Sequence, residues 1–243
     1  MRCSSLVAVL FVLMVAGVAA ADTPFNDYSS VPPGTPPGPA GGQTTQAGNT
    51  EALAFYNDRT AFQVANPGLT VEDFSGTSVP PDGVLACDPP FNELTSNDCF
   101  SQGAITSGVS VELIPNVDSS LLNVVLTPAF FDLSCVAVGP NSFTDDSSID
   151  FNPAVRAVGL DLVSPIAGAV PFDIEIFGPG GSLGTTSAFA CLNDPCFWGV
   201  DSNDIGGITS VVFTSAAGDG ELFCNVEFGG EPVPVELQSF DVE

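Results

Sequence analysis

Carboxylates are the reactive groups that this sequence offers in number. Its 243 residues include 29 acidic residues and three basic residues, with no lysine and no histidine. Ser-His-Asp triads, Cys-His pairs and histidine-ligated zinc sites all need histidine, so the chain cannot form them. The absence of lysine also excludes Schiff-base chemistry and the phosphate-binding lysine of a P-loop. Any catalysis would therefore use carboxylates, tyrosine or a bound cation.

The candidates for carboxylate catalysis are three acidic pairs: Glu72-Asp73, Asp145-Asp146, and Asp173 with Glu175. A glycosidase needs two carboxyl groups about 5–10 Å apart across a cleft, one of them with a raised pKa. Adjacent strand residues point to opposite faces, so Glu72 and Asp73 cannot share one cleft. Asp173 and Glu175 share a face, but an exposed sheet face explains that spacing equally well. A non-catalytic protein is therefore favoured over an enzyme.

Calcium is the second chemistry to consider, because it takes several oxygen ligands and the chain is rich in them. The stretch DSNDIG, residues 201–206, half-matches an EF-hand loop. However, Ile205 occupies the third ligand position, and Val212 stands where a bidentate glutamate is needed. This stretch is therefore not an EF-hand.

Residues 1–21 are typical of a secretory signal peptide. Arg2 precedes an apolar run over residues 6–18, and Ala19-Ala20-Ala21 supplies the small residues that signal peptidase requires. The run has about 13 residues and a bilayer span needs about 20, which favours a cleaved signal over an anchor. No later segment is apolar enough to span. We therefore expect an exported chain, secreted or at the cell surface, with no membrane span after signal removal.

Export would place the six cysteines that follow the signal in an oxidising compartment, where an even number indicates disulfides. The sequence alone does not choose among the possible pairings. Pairing across short loops is our hypothesis: Cys87–Cys99, Cys191–Cys196 and, by remainder, Cys135–Cys224. The spacing of Cys191 and Cys196 differs from the C-x-x-C of redox and zinc motifs.

Composition divides the rest of the chain into three segments. Residues 22–50, rich in Pro, Gly, Thr and Gln, form a predicted disordered linker with little to bury. Residues 51–230 are long enough for one core, and residues 231–243 form a C-terminal extension. One helix is predicted in FYNDRTAFQVANPG, residues 55–68, where Asn57 or Asp58 caps the first turn and Pro67-Gly68 ends it.

The remainder of the domain consists of short predicted strands separated by Gly, Pro, Asn and Asp. In PFDIEIF, Phe172, Ile174 and Ile176 share one face and the two acids share the other. Such half-buried strands without intervening helices indicate an all-β fold, an antiparallel β-sandwich with one short N-terminal helix. The candidate strands are 70–74, 109–114, 121–126, 134–138, 148–151, 157–163, 172–177, 187–190, 208–214, 222–228 and 235–240.

Several motifs resemble exported bacterial proteins of the PEP-CTERM or choice-of-anchor type. Their short F-x-x-R-x-x-F helix and following E-x-F strand are similar to AFYNDRTAFQVANPGLTVEDFSG, residues 54–76. The family's later motifs follow in the same order as VAVG at 136–139, IDFNPAVRAVGLDL at 149–162, FWGV, ITSVVF and CNVEFGG. The resemblance covers most of residues 53–230 and implies a jelly-roll-like sandwich of the lectin or carbohydrate-binding-module type.

The final residues, PVPVELQSFDVE, resemble the P-V-E-L-x-S-F segment that precedes a C-terminal sorting domain in exported bacterial proteins. No apolar anchor or basic tail follows Glu243. The chain is therefore expected either to be a trimmed or incomplete form or to be released rather than anchored.

The resemblance also implies a metal site. Jelly-roll sandwiches of this type often hold a structural calcium between their first and last strands, and the carboxylates so placed here are Glu72, Asp73 and Glu227. Solvated carboxylates are the alternative. Arg59 and Arg156 are expected to pair with acids of the same fold.

Sugar binding would need aromatic platforms, and the polar-edged aromatic residues of the domain are Trp198 and Tyr56. We take both as candidate ligand-binding residues, with packing inside the sandwich as the favoured alternative for Trp198. The 19 phenylalanines are expected to be mostly core residues, so exposed stacking surfaces are expected to be scarce.

Together these expectations predict an exported, non-catalytic β-sandwich module at the cell surface or in the extracellular matrix, in weak contact with carbohydrate. The alternatives are a carboxylate-based glycan-active hydrolase or lyase, and a purely structural surface or matrix protein. The expected cofactor is structural calcium, and the expected partner is an extracellular glycan or surface matrix. The formal net charge of −26 excludes nucleic acid, because phosphate binding needs basic residues.

Overall fold

The computed structural model describes residues 53–116, 119–142, 144–164, 170–192, 195–203, 206–214 and 222–230. All of these residues fall within one compact unit. The predicted signal peptide, linker, C-terminal extension and strand 235–240 lie outside the described residues. Within the described ranges, no helix is long and apolar enough to cross a membrane.

The described strands form two sheets that are joined through β10. The first sheet contains, in spatial order, β3 (Val84–Cys87), β5 (Asn123–Leu126), β6 (Ala137–Pro140), β13 (Leu222–Gly229), β8 (Ala157–Ser164), β11 (Cys196–Asp201) and β1 (Ala54–Tyr56), and β2 (Thr70–Glu72) pairs with β13. The second sheet contains β4 (Val109–Ile114), β7 (Asp146–Val155), β12 (Ile208–Thr214), β9 (Val170–Gly178) and β10 (Gly181–Leu192). The described strands pair antiparallel, except that the end of β10 crosses to the first sheet and pairs in parallel with β8.

The core lies between the sheets. In β9, Phe172, Ile174 and Ile176 are fully buried and the two acids point away from the core, as the alternation predicts. From the first sheet, Trp198 packs edge-on against Phe213 of the second, with ring centroids 6.3 Å apart. The predicted all-β, antiparallel jelly-roll-like β-sandwich with one short N-terminal helix is confirmed as a class, with the parallel β8–β10 contact as an addition.

Some predicted element bounds were wrong. The sequence missed the short strands β1 and β3, because three or four residues are too few to show alternation. It also missed the first half of β10, where GSLGTTS carries glycine and hydroxyl residues rather than an apolar face. The candidate strand 70–74 ends at Glu72, since Phe74 has a φ of 56°.

Strand β8 is an exception to the prediction of half-buried strands, because all eight of its residues are buried. Leu160 and Leu162 face the core between the sheets. On the opposite face, Val163 joins a second, smaller apolar cluster that contains Cys135 and Cys224. On the same outer face, Gly159 and Asp161 contact residues of helix α1 (Arg59–Ala65).

Helix α1 begins and ends where the sequence predicts. The side chain of Asp58 accepts a hydrogen bond from the backbone N–H of Ala61 at 2.7 Å, which makes it the N-cap. The helix ends before Asn66, and Pro67 then cannot continue it because it lacks a backbone N–H.

The helix is anchored by Phe62, whose ring lies on two glycines of the first sheet. Gly159 of β8 and Gly199 of β11 are paired in register. A Cβ added at Gly159 would lie 2.6 Å from the Phe62 ring, and one added at Gly199 would lie 2.9 Å from it. The ring of Phe197 packs against Phe62 with centroids 5.4 Å apart. Residues without a side chain are needed at both positions for the helix to approach this closely.

A bulge in β13 changes which of its residues face outward. Cys224 lies opposite Asp161 of β8, and Glu227 lies opposite Gly159, so two residues of β13 oppose one residue of β8. Asn225, inside the bulge, has a φ of 50°. Cys224 and Glu227 therefore share the outer face although they are three positions apart.

Three disulfides join the six described cysteines in the pairing hypothesised from the short loops: Cys87–Cys99, Cys191–Cys196 and Cys135–Cys224. The third has a sequence separation of 89 and ties the segment between β5 and β6 to β13. It closes the smaller apolar cluster on the outer face of the first sheet.

We expect Gly159→Ala to destabilise the fold, because its methyl group would overlap the rings of Phe62 and Phe197. The expected loss in the free energy of unfolding is about 1–3 kcal/mol, the usual cost of overpacking, measured by chemical denaturation. Gly180→Ala is the matched control, since nothing lies within 4 Å of a Cβ built there. Equal stability of the two variants would contradict the anchoring role of Phe62.

Candidate functional site

The two aromatic residues predicted to bind a ligand are not open platforms. Trp198 is 5% exposed and faces the core between the sheets, which agrees with the packing alternative and leaves no open ring face for a ligand. Its indole belongs to the core because Trp198 lies opposite Leu160 of β8 and shares that residue's inward face. Tyr56, on edge strand β1, is partly exposed, and its ring packs edge-on against Phe62 with centroids 5.4 Å apart.

Of the predicted calcium ligands, Glu72 is already engaged. Its two carboxylate oxygens accept backbone N–H bonds from Phe74 and from Thr106, each at 2.6 Å. In register, Glu72 lies opposite Val226, which faces the core. Glu72 therefore points to the inner side of the sheet, whereas Glu227 points to the outer side.

The other two predicted ligands also have separate partners. Glu227 is bound by Arg59, and Asp73 is exposed on the segment after β2. Hydrogen bonds from the hydroxyl and the N–H of Ser75 hold the pKa of Asp73 below its usual value. Among the described residues, no three Asp, Glu or Cys side chains are grouped so as to hold a metal ion. Calcium binding by the chain stays a prediction, but these three residues do not form its ligand set as placed.

Arg59 holds two buried carboxylates under helix α1. Its Nη2 lies 2.7 Å from Oδ1 of Asp161, and its Nη1 lies 2.9 Å from Oε1 of Glu227. The guanidinium also lies over the ring of Phe197, 4.9 Å from the centroid. Gln63 donates a further hydrogen bond to Oε2 of Glu227 at 2.9 Å. The cluster neutralises charges that would otherwise be buried alone.

Arg156, between β7 and β8, has the same role. Its Nε and Nη2 donate to the two oxygens of Asp201 at 3.1 and 3.2 Å. The buried Asp201 also accepts the backbone N–H of Asn203 at 2.6 Å. The prediction that both arginines pair with acids of the same fold is confirmed, and Asp201 serves an ion pair here.

A shallow pocket of about 160 Å³ opens beside α1. Its lining residues are Gln63, Asn66, Gly68, Leu69, Val71 and Glu227. Glu227 is the single carboxylate among these described residues, and Arg59 already binds it. Glycoside hydrolysis needs two carboxyl groups across a cleft, so this pocket gives no support to a hydrolase.

The remaining acidic pairs also lie outside a common cleft. Asp145 is fully buried and accepts the N–H of Asn116 at 2.8 Å and the hydroxyl of Ser119 at 2.6 Å, which fastens one loop to another. Asp173 and Glu175 share the outer face of the second sheet, as the sequence predicts.

Polar side chains from all five strands of the second sheet make up most of that outer face. Residues paired in register form rows that cross the strands. The middle row contains Glu112, Ser148, Val212, Glu175 and Thr185. The row on the side of Phe177 contains Ser110, Asp150, Ser210, Phe177 and Ser182. The row on the side of Asp173 contains Thr214, Asp173 and Ser187. All of these side chains are exposed or half-buried except Ser148.

Two strands of this face form what we call the outer strip, defined by Pro171, Asp173, Glu175 and Phe177 of β9 and Ser182, Thr185, Ser187 and Phe189 of β10. Phe189 lies opposite Pro171 at one end, and Phe177 lies opposite Ser182 at the other. The ends are six residues apart, about 20 Å along the strand. An aromatic ring thus stands at each end of a row of paired carboxylates and hydroxyls.

Sequence reasoning missed the aromatic residues of the outer strip because phenylalanine was expected to be mostly core material. Phe189 is 51% exposed. A signal was present in the segment SAFA, residues 187–190, where Ala188 and the buried Ala190 alternate with Ser187 and Phe189. Alternation places Phe189 on the same face as the serine, which is the outer face.

Comparison of the chain with protein-family models and with curated proteins gives no match. Among solved structures, the chain is similar to a mutant of a family 29 carbohydrate-binding module studied for ligand recognition. The sequence identity is 12%, the match covers 50% of this chain and 92% of that one, and the TM-score is 0.29. A likeness this loose assigns neither a fold nor a ligand to the chain.

We expect Glu72→Gln to lower the free energy of unfolding by about 1–3 kcal/mol, because one of its two backbone N–H donors would face an amide NH₂ instead of an oxygen. The loss should be the same in calcium and in a chelator, as measured by chemical denaturation. Asp73→Asn is the control, since its side chain is exposed. A loss that appears only when calcium is present would restore Glu72 as a metal ligand.

We expect Arg59→Met to lower the free energy of unfolding by about 3 kcal/mol. This is near the lower end of the usual cost of breaking a buried ion pair, because the arginine side chain is itself 32% exposed. Adding Asp161→Asn and Glu227→Gln should recover part of that loss, since no buried charge then remains unpaired. Denaturant unfolding of the single and triple variants measures both. A triple variant less stable than the single one would refute this account of the cluster.

Proposed function

We propose that the chain is an exported, non-catalytic β-sandwich module that binds an extended glycan along the outer strip. The observation that carries the proposal is the arrangement of that strip. Aromatic rings stand about 20 Å apart at its ends, and hydrogen-bonding side chains line the surface between them. An aromatic ring can pack against the apolar face of a sugar, and carboxylates and hydroxyls can bond its hydroxyl groups.

The shape of the strip supports a chain-like ligand rather than a small one. Its side chains stand on two neighbouring, antiparallel strands of a regular sheet, so they are held in a line by the backbone ladder. Rigid elements position binding groups more sharply than loops do. The pocket beside α1 offers a smaller, shallower surface without an aromatic residue in its described lining.

Export and a cell-surface or extracellular location are part of the same proposal. They are supported by the signal-like residues 1–21, by the three disulfides, which persist in oxidising compartments, and by the resemblance to PEP-CTERM-type exported proteins. A purely structural surface protein is the outcome that remains if no glycan binds.

A glycan array tests the proposal, with wild type beside Phe189→Ala. We expect wild type to bind at least one class of extended glycan and Phe189→Ala to lose about tenfold in affinity, or about 1.4 kcal/mol. The matched control is Phe131→Ala, because Phe131 is 50% exposed but lies on the segment that covers the first sheet. Absence of signal on every glycan would refute the proposal. An equal loss of affinity in both variants would show that the outer strip is not the binding surface.

A further inference from the structure

The outer face of the second sheet carries carboxylates that no arginine of the described chain neutralises. They are Glu112, Asp150, Asp173 and Glu175. Both described arginines bind acids of the first sheet, and no ion pair among the described residues involves this group of four. The sequence has no lysine or histidine to add. This face is therefore anionic, because both described arginines are paired with Asp161, Glu227 and Asp201 of the first sheet.

The register keeps these carboxylates apart. Glu175 lies opposite Val212 and Thr185, and Asp173 lies opposite Thr214 and Ser187. Like charges placed directly opposite each other destabilise a sheet, and here no such pair occurs in the described ladders. The face tolerates its charge without cations of its own, so its carboxylates are available to an outside partner.

Hydroxyls hold two of the carboxylates in place. Ser210 donates to Oδ1 of Asp150 at 2.5 Å, and Ser110 donates to Oε1 of Glu112 at 2.7 Å. Asp173 and Glu175, two positions apart on β9, stand about 7 Å from each other along the outer strip. They lie between the two aromatic ends, where the proposed glycan would pass.

From this charge complementarity we infer that the ligand is a glycan with free amino groups, a de-N-acetylated amino-sugar polymer. The inference rests on the proposed function and specifies its substrate class. An ammonium group donates charge-assisted hydrogen bonds to carboxylates, which are about twice as strong as neutral ones. Uronic acid or sulfate groups would meet like charge on the outer strip and be repelled.

The test compares three oligosaccharides of equal length by titration calorimetry: a glucosamine oligomer with protonated amines, its N-acetylated form, and an oligogalacturonate. We expect the glucosamine oligomer to bind about tenfold tighter than the N-acetylated form, and the oligogalacturonate not to bind. Raising the ionic strength from about 0.01 M to about 0.15 M should weaken the first interaction, because the Debye length falls from about 30 Å to about 8 Å.

A double variant localises the effect. Asp173→Asn with Glu175→Gln should lose at least tenfold in affinity for the glucosamine oligomer. The matched control, Asp82→Asn with Asp132→Asn, removes the same charge from exposed positions beside the first sheet. Both control sites have a positive φ, which asparagine tolerates. An equal loss in the control pair would reduce the effect to net charge and overturn the inference.

The remaining outcomes separate the two proposals. If the N-acetylated or a neutral glycan binds as tightly and without dependence on salt, the glycan-binding function stands and the amino-sugar inference fails. If no glycan binds in any arm, both fail. If an oligolysine of equal charge binds as tightly as the glucosamine oligomer, the surface selects polycations in general and the inference is overturned.

Discussion

Covering both faces of β8 is the constraint on which the rest of the structure depends. The strand lies between β11 and β13 in the middle of the first sheet, and all its residues are buried. The second sheet covers one face of β8, so other structural elements must cover the opposite face. Helix α1 covers part of it through Phe62, and the Cys135–Cys224 segment covers the rest.

The covered outer face of β8 contains Asp161, and a buried carboxylate needs a cation or several donors. Arg59 of α1 supplies the cation, and Asn225 adds an amide hydrogen bond at 2.8 Å. With the second described arginine held by Asp201, the first sheet takes both cations. The acidity of the second sheet follows from that allocation, which links the packing of one sheet to the binding chemistry proposed for the other.

The sequence was sufficient for features that depend on local pattern. The alternation in β9, the cap at Asp58 and the helix stop at Pro67 each depend on neighbouring residues, and the structure agrees with all three. The pairing of Arg59 and Arg156 with acids was also within reach, because a chain so poor in cations has many carboxylates to offer each one.

Features that depend on what lies above a sheet were not accessible from the sequence. Trp198 and Phe189 both sit on strands, and of these two rings composition alone offered only the tryptophan as a candidate for ligand binding, with packing in the core as its favoured alternative. In the structure Trp198 is buried and Phe189 is exposed, because the inward face of β11 meets the second sheet and the outer face of β10 meets solvent. The predicted calcium ligands lie apart for a related reason: Glu72 and Glu227 are on paired strands but on opposite faces, which the sequence of either strand alone does not reveal.

The bulge in β13 adds one residue and so shifts the inward and outward alternation of the side chains that follow it. Before it, Cys224 faces outward to its disulfide; after it, Glu227 again faces outward, to Arg59. In an unbroken strand two residues three positions apart would point to opposite sides. The bulge at Asn225 therefore lets both the disulfide of Cys224 and the ion pair between Glu227 and Arg59 form on the same face. Asparagine accommodates the positive φ of this position better than most residues do. Loss of that single position would leave the strand able to satisfy one attachment but not both.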